Sequence, residues 1–215
     1  MGSASICSSE SNDRMSNMLD FSTVVRLAPA SSDEIRARSR GRIIRDPLDG
    51  DLYPRDRDGR EVLVPEPGGF YDETLFGPLA APEASAFAHL ELRAALRHPM
   101  LDAPIDVVPV LPAAYRPYDD ELGRDVTAAY GELYSVCARF ARLIELDAPA
   151  HVVEDDRKSC ERALSALIDN RTSAEPVRVG AARRPRGSLA DLLDTRDAVQ
   201  LEAVLFAIGL RLVAL

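Results

Sequence analysis

The clearest pattern in the chain begins at Asp125. Apolar or small side chains recur at Val126, Tyr130, Leu133, Cys137, Phe140 and Ile144. Alternating steps of four and three residues mark a heptad seam on one helix face. Asp147-Ala148-Pro149 then stops the helix, because proline has no amide hydrogen to donate and restricts the residue before it. A second seam follows at Val153, Arg157, Cys160, Leu164 and Leu167, with Arg157 as its one polar member. Asp155-Asp156 reads as the start of this second helix, where carboxylates favour the N-terminal end of the dipole. Two such helices joined by a short loop predict an antiparallel helical hairpin. With about 17–22 residues per helix, it would project about 25–33 Å.

The rest of the chain is less periodic. Val24, Val25 and Leu27 suggest a short strand, and Ser32-Asp33-Glu34-Ile35 a short helix with Ser32 as its cap. Asp49-Gly50 and Asp58-Gly59 are turn dipeptides. Residues 83–98 fit a helix, or a strand followed by a helix, and the pattern does not choose. A further helix is expected from Ser188. The apolar run Leu201–Leu215 is interrupted by Glu202 and Arg211, too short and too charged to span a bilayer, and it predicts a packed helix. The expected fold class is mainly α with a small α+β base and a projecting antiparallel coiled-coil hairpin. Its expected divisions are a disordered Ser- and Asn-rich leader (1–20), an irregular α+β base (21–117), the hairpin (118–171), and a loop with C-terminal helices (172–215).

Composition narrows the function. The 215 residues suffice for one sizeable core or two small modules. Fifteen prolines, clustered between 29 and 117, favour short elements there over long helices. A formal charge of −9 argues against a free-standing duplex binder, whose affinity comes largely from neutralising phosphates. One basic group stands out, Arg178, Arg183, Arg184 and Arg186, either a nucleic-acid contact or a solvated loop. Three cysteines, Cys7, Cys137 and Cys160, contain no C-x-x-C pair, so neither a zinc ribbon nor a redox motif is indicated. An odd count without a signal peptide fits the cytoplasm. The adjacent acids Asp119-Asp120 and Asp155-Asp156 point apart, and nothing frames them as a metal site. No catalytic residue, cofactor or metal is expected, and no membrane association.

The hairpin carries a more specific signal. The segment DVTAAYGELYSVCARFARLIELDAPAHVVEDDRKSCERALSALIDN, Asp125 to Asn170, resembles without a gap the clamp-helix coiled coil of the β′ subunit of bacterial DNA-directed RNA polymerase. Matching positions include Asp125, Tyr130, Arg139, Arg142, Leu143, Leu146, Pro149, Ala163, Leu167, Asp169 and Asn170. Flanking pieces follow in family order: Asp33-Glu34-Ile35-Arg36, Gly69-Phe70-Tyr71-Asp72-Glu73 with Phe76-Gly77-Pro78, His89-Leu90-Glu91-Leu92, Val110-Leu111-Pro112 with Arg116-Pro117, and Arg184-Pro185 with Ser188-Leu189-Ala190-Asp191.

The departures are equally specific. The family's four-cysteine zinc ribbon is missing after Phe76-Gly77-Pro78, so no structural zinc is expected, and His89 reads as a packing residue. The lid-like loop before Asp125 is short. Residues 170–187 correspond to the rudder, but an acidic and then apolar sequence replaces the basic switch segment after it, leaving nucleic acid at most a weak partner. The magnesium-binding catalytic loop has no counterpart, so the chain is expected to be inactive alone. The resemblance implies docking of a sigma factor on Val136, Arg139, Arg142, Asp156 and Ala163. At the position of Val136 the family has an arginine. Two roles follow: a non-catalytic module binding a sigma factor or other transcription partner, or a piece of a split or divergent RNA polymerase completed by other polymerase chains.

Overall fold

The computed structural model describes residues 25–45, 58, 63, 65–99, 104–173, 175–195 and 197–214. The leader, Val24, Cys7, Asp49-Gly50, Gly59 and Leu215 lie outside the described residues. The described chain is mixed α/β. Strand β1 (Val25–Pro29) leads into helix α1 (Ser32–Arg38), strand β2 (Ser39–Arg42), the one-turn helix α2 (Glu73–Phe76), and strands β3 (Phe87–Arg97) and β4 (Pro104–Val110). The long helices α3 (Glu121–Glu145) and α4 (Ala150–Asp169) follow, then the two-residue strands β5 (Arg178–Val179) and β6 (Arg184–Pro185), helix α5 (Ala198–Ala207) and strand β7 (Leu210–Ala214).

Residues 83–98 resolve as a strand. β3 lies at the centre of a three-stranded sheet, parallel to β2 and antiparallel to β4. Helices also contact it, and Phe87, Ala88, His89 and Leu90 are buried in succession. A strand covered on both faces loses the two-residue alternation that would announce it. A register irregularity between Glu91 and Leu96 leaves Arg93 at φ 63°, a β-bulge geometry that aims an exposed arginine outward.

Three other expectations are corrected. Ser31, not Ser32, caps α1: its hydroxyl accepts from the Glu34 amide, and the Glu34 carboxylate accepts from the Ser31 amide. This reciprocal box satisfies two otherwise unpaired donors, while the Ser32 hydroxyl turns to Asp106. The helix expected from Ser188 is a single 3-10 turn, Leu189–Leu192, closed by a Ser188–Asp191 box; a new cap, Asp197, starts α5. The apolar tail is only half helix. Gly209, at φ 90°, turns the chain after α5, and β7 runs back antiparallel to β1, pairing Leu27 with Leu212. That partner strand lies most of the chain length away, beyond the reach of local patterning.

One continuous core runs from Ile35 to Leu210 and includes Phe70, Leu90, Val108, Tyr130, Leu164 and Phe206. Tyr130 is fully buried: its hydroxyl donates to the Pro109 carbonyl (3.0 Å) and accepts from the Leu111 amide (3.2 Å), bolting α3 to the end of β4. Burial pushes its phenol well above the ordinary range. Arg116 is the largest fully buried side chain. Its guanidinium lies over the rings of Tyr71 and Phe76, 4.8 and 4.6 Å from their centroids, and donates to the carbonyls of Leu111 and Phe70 and to the Thr127 hydroxyl.

Candidate functional site

The two seams fall on α3 and α4, and α3 starts before Asp125, where its apolar pattern becomes clear. Asp120 caps α3 by accepting from the Gly123 amide at 3.0 Å. The helix therefore gains a turn before Asp125 and reaches about 37 Å, with α4 about 30 Å. Gly123 is required there, because a Cβ would fall 2.2 Å from the Pro117 carbonyl oxygen. α3 ends at Glu145, Asp147 turns back at φ 51°, and Pro149 is the residue before α4. Asp155-Asp156 therefore sits inside the second helix and does not start it.

Along α3 burial fades from base to tip. Val126, Tyr130 and Leu133 are 0 % exposed, Cys137 and Phe140 slightly more, and Ile144 is 50 % exposed with Leu146 at 61 %. The base half of the hairpin belongs to the core, and its tip faces solvent. Arg157, the polar break in the second seam, sits at the margin and pairs with Glu154 three residues before it and Glu161 four after it, a helix-surface arrangement.

Among the residues expected to dock a partner, the structure brings Arg139 and Asp156 together. The guanidinium spans the two helices and donates two bonds of 2.8 Å to the carboxylate. The side chain of Arg139 is 58 % exposed and that of Asp156 14 %. Paired bonds of this kind fix orientation as well as charge. Arg142 is exposed and pairs loosely with Glu145 at 3.4 Å. Val136 is half-buried against the core. Ala163 is not on the surface: it is 4 % exposed and belongs to the core.

The four arginines between residues 178 and 186 divide into two pairs. Arg184 is held by Glu121 (2.8 Å) and by both oxygens of Asp125 (2.5 and 3.3 Å), and Asp125 also accepts from the Gly187 amide at 2.7 Å. Arg186 is buried and donates to Glu132, while its Nε and Nη2 have no hydrogen-bond partner among the described residues. Arg178 and Arg183 remain exposed, the former donating to the Arg183 carbonyl. Charges that looked available in the sequence are half neutralised within the chain. Two organising residues carried no functional signal of their own. Fully buried Asn170 bonds both the amide and the carbonyl of Val177 and the Arg186 carbonyl, stitching the loop to the end of α4. Asp125 anchors its other end.

His89 is largely buried on β3. Burial lowers its pKa, with Glu91 opposing. Among the described residues no group of three His, Cys, Asp or Glu could hold a metal ion, and no helix is long and apolar enough to cross a membrane.

The described residues form a mixed α/β fold, with a solvent-facing helical hairpin as its most distinctive part. Comparison with known proteins relates a part of the chain to a particular subunit: over 94 residues, 41% of the chain, it is 38% identical to the DNA-directed RNA polymerase subunit β′ of Limosilactobacillus fermentum. The corresponding subunits of Leuconostoc pseudomesenteroides and Oenococcus oeni are 37% and 38% identical over the same number of residues. The resemblance read from the residues is therefore shown by direct comparison. The chain spans 8–9% of the length of these relatives, as a β′-like piece would. No family model matches it.

Proposed function

We propose that this chain is a transcription-related, β′-like clamp module, non-catalytic alone, that binds a sigma factor or another transcription partner through the flank of its hairpin. In this reading the hairpin within 118–171 is the coiled-coil docking arm, and the described residues of 25–117 and 172–214 are the base that holds it. The observation that carries this reading is the Arg139–Asp156 pair, which bridges the two helices at the solvent boundary beside exposed Arg142. A partner would meet a preformed charged ridge flanked by Val136, with Ala163 beneath it permitting the helices to approach closely. Nucleic acid is at most a weak partner, because Arg184 and Arg186 already have carboxylates.

Calorimetric titration of the purified chain with the primary sigma factor tests this. The expected result is a dissociation constant of about 1 μM or tighter, weakened at least about tenfold by Arg139→Glu with Arg142→Glu, since rim charge reversal introduces repulsion. No binding by a folded chain would refute sigma docking. The second reading is a subunit of a split or divergent polymerase. It draws on the cross-strand pair Leu27 and Leu212, 52 % and 42 % exposed on the β1–β7 ribbon. Pull-down of other polymerase chains, abolished by Leu27→Lys, would favour it.

A further inference from the structure

We propose that the cleft between the bulge of β3 and helix α3 is a docking site for an acidic peptide segment of a protein partner, with Arg93 binding its carboxylate. Between the pairings Glu91–Val107 and Leu96–Ile105, residues 92–95 of β3 lie where β4 has only Asp106. This bulge holds Arg93 at φ 63°, a left-handed conformation that disfavours a residue carrying a Cβ. The exposed Arg93 lines a cleft of about 210 Å³ with Glu91 on β3 and with Tyr134, Ala138, Ala141, Arg142 and Glu145 on α3.

The charges of the cleft leave one group uncommitted. Arg36 donates to both oxygens of Glu91, at 3.0 and 3.1 Å, and Arg142 pairs with Glu145 at 3.4 Å. Among the described residues nothing pairs with the Arg93 guanidinium. The Tyr134 hydroxyl donates to the Ile44 carbonyl at 2.8 Å, so its ring, with Ala138 and Ala141, offers an apolar floor. A backbone held in a disfavoured conformation, presenting an unpaired cation beside an apolar floor, is the arrangement of a recognition residue.

That chemistry selects the occupant. A carboxylate meets a planar guanidinium through paired hydrogen bonds, and the floor takes a small apolar side chain beside it. Glu91 and Glu145 line the same cleft and the chain carries a charge of −9, so a polyanion such as nucleic acid is disfavoured. Specificity also has a direction. Across the bulge a second hollow, about 350 Å³, is lined by Ala94, Ala95, Pro104 and Asp106, and a carboxylate placed there would meet Asp106. The segment therefore crosses the bulge with its acid toward α3 and an apolar side chain toward β4. This site does not include the Arg139–Asp156 ridge and does not depend on what binds there.

The test uses the full chain with nitrogen-15 in its arginine side chains, and the Arg93 Nε–H signal is identified by its loss in Arg93→Gly. The probe is the peptide acetyl-Ala-Leu-Glu-Ala-Leu-amide, compared with its Gln counterpart and with an eight-residue oligothymidylate. The Glu peptide should shift the Arg93 signal with a dissociation constant of about 1 mM or tighter, and the Gln peptide should bind about tenfold more weakly. Arg93→Gly should abolish binding yet unfold at an equal or higher urea concentration, because glycine relieves the left-handed backbone. An unmoved Arg93 signal, or equal binding of the Gln peptide or the oligothymidylate, would overturn the proposal. So would a lower urea midpoint in Arg93→Gly, which would make Arg93 a residue of the fold. No sigma factor enters this test, so a failed sigma titration and a failed cleft are separate results.

Discussion

Replacing Arg116 by methionine should cost about 2–4 kcal/mol of stability. The side chain is 0 % exposed, and Met keeps most of its apolar length. What is lost is the guanidinium, which donates to the carbonyls of Leu111 (2.7 Å) and Phe70 and to the Thr127 hydroxyl (3.3 Å). Thr127 still has the Tyr71 hydroxyl at 3.1 Å, so the two carbonyls bear the loss. Leaving a buried acceptor unsatisfied costs about 1–3 kcal/mol each. The cation–π contacts with Tyr71 and Phe76 add about 1 kcal/mol or more in a desolvated site. Removing the burial penalty of the charge returns several kcal/mol, which leaves the net figure. Arg116→Lys should not rescue, because an ammonium is a point donor and cannot reproduce a planar fork that spans separate carbonyls. Urea unfolding followed by circular dichroism and tyrosine fluorescence measures the loss; the chain has no tryptophan to mask Tyr71 and Tyr130. A loss below about 1 kcal/mol, or full rescue by lysine, would refute the account of Arg116 as the pin between the 70–76 turn and the start of α3.

Two further outcomes follow from buried charge. His98 is 2 % exposed, and its Nε2–H donates to the Ile208 carbonyl at 2.7 Å; burial lowers its pKa, as it does that of His89. The unfolded chain therefore takes up these protons at a higher pH than the folded chain. Stability is fully present above the ordinary histidine value of 6.5 and falls as the pH drops through it, by up to about 1.4 kcal/mol per pH unit for each histidine. Urea midpoints from about pH 7.5 to 5.5 should show this slope, reduced by about half in His98→Gln; a flat profile would contradict it. Arg186→Met removes a buried cation that makes one ion pair and leaves two nitrogens without acceptors. It should leave stability unchanged or raise it by about 1–2 kcal/mol, and thermal denaturation showing a clear loss would mean those nitrogens have partners.

What the sequence disclosed and what it hid divide along physical lines. The hairpin was legible because a heptad seam is a local signal, and five of the six α3 seam positions are buried. The sixth, Ile144, shows where the fold stops covering the helix. The start of α3 was missed because Asp120 announces a cap only once the Arg116-Pro117 turn is seen to lead into it. β3 was ambiguous because both its faces are covered, and β7 was misread as helix because its partner, β1, stands at the other end of the described chain. The expected docking residues scattered once packed: Arg139 and Asp156 found each other, Arg142 stayed in solvent, and Ala163 went into the core. Patterning predicts which face of a helix is apolar but not how much of that face a distant sheet will cover.

The arginines carry this argument furthest. Counted along the chain, Arg178, Arg183, Arg184 and Arg186 form a basic cluster beside an otherwise acidic sequence. In the fold, Arg184 meets Glu121 and Asp125, and Arg186 meets Glu132, all three acids being on α3. The acidic balance of the chain thus has a local purpose: carboxylates on one face of α3 hold down the loop that β5 and β6 carry, and Asn170 closes its far side. A phosphate competing for Arg184 would have to displace two carboxylates and release the Gly187 amide from Asp125. Exposed charge attracts nucleic acid in proportion to the cations left unpaired, and here that leaves chiefly Arg178 and Arg183. The same residue types that would make this loop a nucleic-acid contact, set against α3, make it a brace for the base of the hairpin.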